Sequence, residues 1–158
     1  MSKPLHVTLA KALAAYLEAV KPTGYNVHRG MRTGLQKLPS ICVAVRKSSP
    51  TFDEMDSPVR SMEVDIIVDT LAIFTTAHDC SASEDAHFEA VESVEQSLLS
   101  SPVREFVNSE NIINRPVANF CLDIYKTPIL ESGYDHQNKL FKSVLTFRRM
   151  DCMASDGD

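Results

Sequence analysis

The run Met62 to Phe74, MEVDIIVDTLAIF, constrains this chain more than any other segment. It alternates apolar with acidic residues at first and then turns apolar throughout. At about 3.3 Å per residue, thirteen extended residues reach roughly 40 Å, about twice a typical strand. A strand of that length outgrows a domain of this size, so its end, or the loops beside it, are expected to be completed by another subunit. Met62, Val64, Ile66 and Val68 fall on one face, and Glu63, Asp65 and Asp69, with Ile67, on the other, because successive strand side chains point to opposite sides. Beyond Thr70 both faces are apolar, and this end is expected to be covered.

The flanking segments supply the rest of a sheet and its cover. Leu5, Leu9, Leu13, Leu17 and Val20 recur at helical spacing, with Lys11 and Glu18 elsewhere on the cylinder, which predicts an amphipathic helix from Pro4 to Val20. Pro22 and Gly24 stop it, and Tyr25 to Leu38 is expected to be a loop carrying Arg29, Arg32 and Lys37. Pro39 introduces a strand, Ser40 to Arg46, with Ile41, Val43 and Val45 on one face and the small Cys42 and Ala44 on the other. The twelve residues Lys47 to Pro58 hold two prolines and three acidic residues without periodicity, and are expected to form a long exposed hairpin loop.

Ser81 to Glu84 reads as a capping box, with the serine hydroxyl on the Glu84 N–H and the Glu84 carboxylate on the serine N–H. The helix it opens is expected to reach Leu99, burying Phe88, Val91, Val94 or Glu95, Leu98 and Leu99 and leaving Glu89, Glu92 and Gln96 in water. Ser101-Pro102 predicts a short helical turn, carrying Val103, Phe106 and Val107 and ending near Asn108. Phe120 to Tyr125 and Leu140 to Met150 read as the third and fourth strands, the latter with Phe141, Leu145 and Phe147 opposite Lys142, Thr146 and Arg148. Between them, Pro128 to Asn138 is expected to be a second long loop around Gly133-Tyr134-Asp135. The order α-β-β-α-(α)-β-β predicts an α+β fold, a largely antiparallel sheet of four strands or slightly more with helices packed on one face. Residues 1–150 form the expected single domain and 151–158 an acidic, disordered tail.

Composition narrows the class. With 158 residues, 44% hydrophobic and 23% charged, the chain can bury a core without a metal or disulfide staple. No apolar stretch approaches the length of a bilayer span and no cleavage site follows Lys3-Pro4, so a soluble, cytoplasmic protein without a membrane partner is expected. A net charge of -5 argues against nucleic acid as the main affinity, since neutralising phosphates needs a basic surface. Cys42, Cys80, Cys121 and Cys152 contain no CxxC pair and read as free thiols, Cys42 and Cys121 in strands and Cys152 in the tail.

Few residues suggest chemistry. His78-Asp79-Cys80 with Asp85 and His87 is the one cluster of metal-type ligands, but its spacing matches no zinc pattern. Asp85 and His87 would point about 200° apart on a helix, so a polar loop feeding a helix N-terminus is the preferred reading. Glu63, Asp65 and Asp69 form a row that could bind a divalent ion or act in acid–base chemistry. Neighbours in that row stand about 7 Å apart, too far for one ion without further ligands, and a solvated face or one lining an assembly is preferred. Gly30 to Gly34 lacks the lysine and preceding strand of a phosphate loop, and no G-x-S-x-G occurs. No catalytic, cofactor-binding or metal-binding residue is therefore expected. Arg29, Arg32 and Lys37, with Lys142, Arg148 and Arg149, oppose the acidic second strand and tail; in a ring, opposite charges at opposite edges would help neighbours dock.

The amphipathic N-terminal helix, the Leu38-Pro39-Ser40-Ile41-Cys42-Val43 approach to the first strand and Val64-Asp65-Ile66-Ile67-Val68 together resemble the tail terminator, or tail completion, proteins of long-tailed bacteriophages and related minor tail proteins. The helix Ala86 to Leu99 and the two closing strands continue the same order, so the likeness spans about residues 5 to 150 as a pattern of elements. It implies a structural, non-enzymatic virion protein: a ring, commonly a hexamer, that caps the tail tube and offers the head–tail connector a docking surface while DNA passes without specific binding. It brings no catalytic residues. Thr51, Phe52, Asp53, Glu54, Met55 and Asp56 in the first long loop, Tyr134 and Asp135 in the second, and Arg148 and Arg149 on the last strand are the expected assembly contacts. The alternatives are a small intracellular α+β enzyme or ligand-binding domain using the acidic strand face and His78 or His87, or another phage neck component.

Overall fold

A computed structural model of the chain describes residues 5–30, 37–50, 59–99, 121–124 and 128–153. The elements run α1 (Leu5–Val20), β1 (Asn26–Arg29), β2 (Ser40–Pro50), β3 (Val59–Leu71), α2 (Ser81–Leu99), β4 (Cys121–Ile124), β5 (Ile129–Asp135) and β6 (Leu140–Met153). The fold is α+β, as expected, with an open sheet of six strands in five lanes: β1, β2, β3, β6, and last a lane shared end to end by β4 and β5. All pairings are antiparallel except β1 with β2, so the sheet is mixed.

One face of the sheet carries the core. Ile41, Val43, Met62, Val64, Ile66, Val68, Leu145, Phe147 and Met150 are buried there against Leu9, Leu13, Tyr16 and Leu17 of α1 and Val91, Val94 and Leu98 of α2. In α1 these residues repeat every three to four positions, which puts them on a single stripe. The helix ends where Pro22 and a left-handed Gly24 (φ 88°) turn the chain back. α1 lies over β1 and β2 and α2 over β3 and β6, and the Tyr16 hydroxyl donates to the Ser97 carbonyl (2.9 Å) to join the helices.

The long strand is present at its expected length but displaced by three residues, Val59–Leu71 instead of 62–74. At its end the partner strand stops, because Leu71 pairs with Leu140, the first residue of β6. The Ala72 N–H then turns to the Lys139 carbonyl (2.9 Å) and the ladder closes. At its start Arg60 and Ser61 are held in extended form by partners on both sides, in β2 and in β6, and Val59 by Met153 of β6. The expectation of a covered C-terminal end fails: Leu71, Ile73 and Phe74 are 47%, 63% and 42% exposed, although Ser83 of α2 bonds the Ile73 backbone.

Other boundaries also move. Within the expected loop Tyr25 to Leu38, Asn26–Arg29 form β1, recruited as a short parallel edge against Ser40–Val43. β2 runs on to Pro50, which removes Lys47 to Pro50 from the expected hairpin loop; residues 51–58 lie outside the described residues. The expected second long loop is mostly strand: Ile129–Asp135 pairs with β6 and leaves a turn of only four residues, 136–139. Pro128 and Gly133 suggested a break, but a lane with one open side tolerates both. β6 extends to Met153, so Cys152 lies in a strand and not in a tail; 154–158 and the turn expected at 101–107 lie outside the described residues.

The capping box is also corrected. The Ser81 N–H and hydroxyl both donate to Asp79 Oδ1 (3.0 and 2.7 Å), while the Glu84 N–H takes the Cys80 carbonyl (3.0 Å). The cap sits one to two residues upstream because aspartate is the stronger acceptor.

Two bulges occur at the same level of β3. Residues 45 to 47 of β2 span what Val64 and Glu63 span in β3, which makes Arg46 the extra residue. Across the other ladder, Phe147 and Met150 oppose Val64 and Met62, leaving Arg148 and Arg149 opposite Glu63. Bulges increase local twist and re-aim side chains, and here both bring arginines beside one glutamate.

Candidate functional site

Between the sheet and α2 a chain of hydrogen bonds crosses the molecule. Tyr25 and Thr70 hydroxyls meet at 3.0 Å, Thr70 Oγ1 meets His87 Nδ1 at 2.7 Å, His87 Nε2 meets Ser143 Oγ at 2.7 Å, and Ser143 Oγ meets Ser132 Oγ at 2.8 Å. Its members come from β3, α2, β6 and β5 and from the residue before β1. His87 and Ser143 are buried to 1% and 0% exposure, whereas Ser132 is exposed, so the chain opens at one end.

Burial pushes the His87 pKa down to about 4, because removing water penalises the charged form. The imidazole is neutral at pH 7, with one ring nitrogen donating and the other accepting. If Nε2 carries the proton, Thr70 donates to Nδ1 and itself accepts from Tyr25. If Nδ1 carries it, Ser143 donates to Nε2 and accepts from Ser132. Both nitrogens are thus committed to hydroxyls. No carboxylate orients the ring, so the Ser143–His87 pair lacks the third partner of a nucleophilic triad.

Above this chain a pocket of about 170 Å³ is lined by Glu84, His87, Phe88, Ser132, Gly133, Tyr134 and Phe141. Its aromatic wall is mutually packed, with Tyr134 and Phe141 centroids 5.4 Å apart and His87 and Phe141 5.8 Å apart. Sequence reading expected Phe88 to be buried, but it is 41% exposed and His87 takes the inner position. The signal for His87 was present: Ala90, Val91, Val94 and Leu98 follow it by three, four, seven and eleven residues, along the stripe that α2 buries.

The opposite face of the sheet carries the acidic row, as the period of two predicted. It is neutralised in place. Arg46 pairs with Glu63 and, through Nε, with Asp65 (2.7 Å); Thr146 donates to Asp65 Oδ1 (2.9 Å); Lys142 stands 3.9 Å from Asp69. A trough of about 330 Å³ along this face is lined by Arg46, Glu63, Asp65, Glu131, Thr146 and Arg148, with Ile129 and Val144. Burial raises the Asp69 pKa above the usual carboxylate value, Lys142 opposing and Asp135 adding to the effect. Asp69 Oδ1, Ser40 Oγ and His28 Nε2 are buried without a hydrogen-bond partner, and Ser40 and Asp69 are direct neighbours across the β2–β3 ladder.

The expected cluster around His78 does not converge. Asp79 caps α2, His78 and Asp85 are exposed, and His87 is buried in the core. His87 and the acidic row lie on opposite faces of the sheet, so Asp65, Asp69 and this histidine form no common cleft. Among the described residues no group of three His, Cys, Asp or Glu side chains is placed to hold a metal ion. Cys42 and Cys80 are free thiols.

The expected assembly contacts scatter. Thr51 to Asp56 lie outside the described residues. Tyr134 is in β5 and lines the pocket, and Asp135 closes the turn, accepting the Gln137 and Asn138 N–H groups (3.0 and 3.1 Å) and the Asn138 amide (2.9 Å). Those bonds, that to the Asn138 side chain first, hold its carboxyl below the usual value. Arg148 and Arg149 sit at the β6 bulge, in an interior lane, and the basic residues of β6 face the acidic row of their own sheet, not a distant edge. No helix among the described residues is long and apolar enough to cross a membrane. Compared with known proteins, the sequence matches no family model and no curated protein.

Proposed function

We propose that this chain is a structural, non-enzymatic assembly subunit: a phage tail terminator that forms a ring, commonly a hexamer in proteins of that kind, closing the tail tube and meeting the head–tail connector. Its place is then the tail or neck of the virion, with DNA passing through and no cofactor required. The observation that carries this reading is the open sheet, whose first and last lanes, β1 and β5, have no further strand beside them among the described residues. Open edges of this kind are templates for another chain. The exposed Leu71, Ile73 and Phe74 at the end of the long strand add apolar surface that a neighbour would cover. The helix, strand pair, helix and closing strands on which the resemblance to tail terminators rests are present as α1, β2 and β3, α2, and β4 and β6, with β1 and β5 added.

The test is complementation of a tail-completion defect. Deleting Thr51 to Ser57, between β2 and β3, is expected to leave a folded subunit that no longer completes tails. Normal tails from the deletion variant would refute a role for that segment, and failure of the full-length chain to act at any step of tail assembly would refute the reading. The pocket beside His87 favours one other reading, a small ligand-binding domain. Metal content and thermal-shift screening with divalent ions and metabolites separate the two.

A further inference from the structure

We infer that the cavity between α2 and the β5 lane binds a small organic cation by its quaternary ammonium head, with Glu84 as the counter-charge and Phe88, Phe141 and Tyr134 as the wall. The site lies within one copy of the chain, so it stands whether or not copies form a ring.

α2 lies over β3 and β6, and β5 is the next lane out, which leaves an angle between the helix and that lane. Glu84, His87 and Phe88 follow at spacings of three and four residues and share one side of α2. His87 takes the inner position, and Glu84 and Phe88 flank it one helical turn apart. Phe141 pairs with Tyr134 on one side and with Thr70 on the other, two residues beyond the core-side Val68, so both rings stand on the helix-bearing face. Phe88, His87, Phe141 and Tyr134 then form a continuous series, with neighbouring ring centres 5.4, 5.8 and 5.4 Å apart and planes inclined by 69°, 33° and 53°. All four line the cavity. His136 packs nearly perpendicular to Tyr134, with centres 4.7 Å apart, and steadies that ring.

Charge selects the sign of the ligand. No lysine or arginine lines the cavity, and no described residue pairs the Glu84 carboxylate. α2 carries Glu84, Asp85, Glu89, Glu92 and Glu95 and no basic residue. Its positive end opposes a cation with about half a charge, whereas Asp79, which caps it, and Glu84 and Asp85 just inside it each supply a full negative one. The field at the cavity therefore favours a cation.

The wall selects its kind. Aromatic faces attract cations through the ring quadrupole, and a quaternary ammonium, its charge spread over methyl groups, sheds water at little cost. A metal ion fits poorly, because among the described residues no three metal-type ligands converge. A primary ammonium needs acceptors for three N–H groups, and the Ser132 hydroxyl is already engaged by Ser143. His87 contributes a ring and does not compete, since Thr70 and Ser143 hold both its nitrogens. The cavity, about 170 Å³, is smaller than the roughly 300–1,000 Å³ of sites for drug-sized ligands, so it takes a head group with a short arm and not a nucleotide.

NMR titration of the full chain at neutral pH tests this, with choline and tetramethylammonium as probes. Sodium chloride at equal ionic strength is one control, and 3,3-dimethylbutan-1-ol, which has the shape of choline without its charge, is the other. Saturable shifts are expected at Phe88, Ser132 and Tyr134, with the N-methyl protons moved upfield by the rings. The neutral isostere should bind about tenfold more weakly or worse, and Glu84→Gln and Phe88→Leu should weaken choline by about fivefold and threefold. Both side chains are exposed, so the fold is expected to persist, which circular dichroism checks. An isostere that binds as tightly as choline, or binding that neither variant alters, overturns the site. So does the absence of any saturable response beyond that to sodium chloride. A trimethyllysine peptide that binds where choline does not would overturn the small-molecule assignment in favour of a protein partner. Tail completion is read by complementation alone, so either proposal can fail without the other.

Discussion

Acidification should destabilise this fold chiefly through His87. Its folded pKa of about 4 lies below the ordinary value of 6.5, so the unfolded chain takes up the proton first. The stability that a neutral His87 allows is complete above pH 6.5 and falls as pH drops toward 4. The gap from 6.5 to about 4, at about 1.4 kcal/mol per pKa unit, amounts to roughly 3 to 4 kcal/mol. Against a typical domain stability of about 5 to 15 kcal/mol, that is a large share. Thr70 and Ser143 hydroxyls, with the rings of Phe88 and Phe141, surround the imidazole, and the carboxylate of its own helix that lines the pocket with it is Glu84.

Asp69 acts in the opposite sense. Its raised pKa makes the folded chain bind a proton more readily than the unfolded chain, so it regains stability as pH falls through that raised value. Asp79 and Asp135 have lowered values, and their losses begin only as pH falls below the ordinary 3.8. A comparison removes these terms: urea denaturation of wild type and His87→Gln from pH 7.5 to 4, with the difference in unfolding free energy plotted against pH. The glutamine keeps a donor and an acceptor but does not titrate. The expected difference curve is flat above pH 6.5 and then slopes at up to about 1.4 kcal/mol per pH unit, wild type losing ground. A curve flat from pH 7.5 to 4 would refute the reasoning, because the imidazole would then be hydrated or held by a counter-charge.

Two further substitutions probe the faces separately. Thr70→Val keeps the shape of the side chain but leaves His87 Nδ1 and the Tyr25 hydroxyl without their partner; it should cost about 1–3 kcal/mol in chemical denaturation, and a cost under about 0.5 kcal/mol would mean that water replaces the hydroxyl. Arg46→Ala removes ion pairs whose arginine side chain is 49% exposed, so it should cost no more than about 1 kcal/mol and less in molar salt; a loss near 3 kcal/mol that salt leaves unchanged would show that the arginine acts through packing.

The central architecture was legible because hydrophobic period decides it. Leu9, Leu13 and Leu17 at helical spacing and Val64, Ile66 and Val68 at alternating spacing are buried as read. The margins were not legible, because β1 and β5 are strands by virtue of their neighbours. Asn26–Arg29 has little β pattern, and Ile129–Asp135 combines a glycine with a preceding proline; only the long β2 and β6 beside them make extended backbone the favourable state. The bulges at Arg46 and at Arg148–Arg149 leave no trace in composition either. Of the candidate sites, the acidic row was read correctly as a face, but its neutralisation by Arg46 depends on a bulge. His87 was considered as a ligand beside His78, when the stripe of α2 already assigned it to the core.

Polar satisfaction is uneven across this molecule, and the unevenness has a direction. In the middle lanes each prominent polar group has a partner: the His87 chain on one face, the Arg46 pairs on the other. Toward β1 the pattern fails. Ser40 Oγ and His28 Nε2, in the adjacent lanes β2 and β1, are buried without a hydrogen-bond partner among the described residues, while Asp69 Oδ1 in the central β3 has only Lys142, 3.9 Å away. Each such group costs about 1–3 kcal/mol unless water or another chain supplies the bond. Stability gained in the centre offsets that cost, so the fold persists while its β1 margin stays energetically incomplete. The groups there that a second chain could satisfy directly are the backbone N–H and C=O of Val27 and Arg29, which turn away from β2 and which no described residue takes. That asymmetry, more than any single charge, is why the sheet is expected to grow at its edges while its middle faces stay inert.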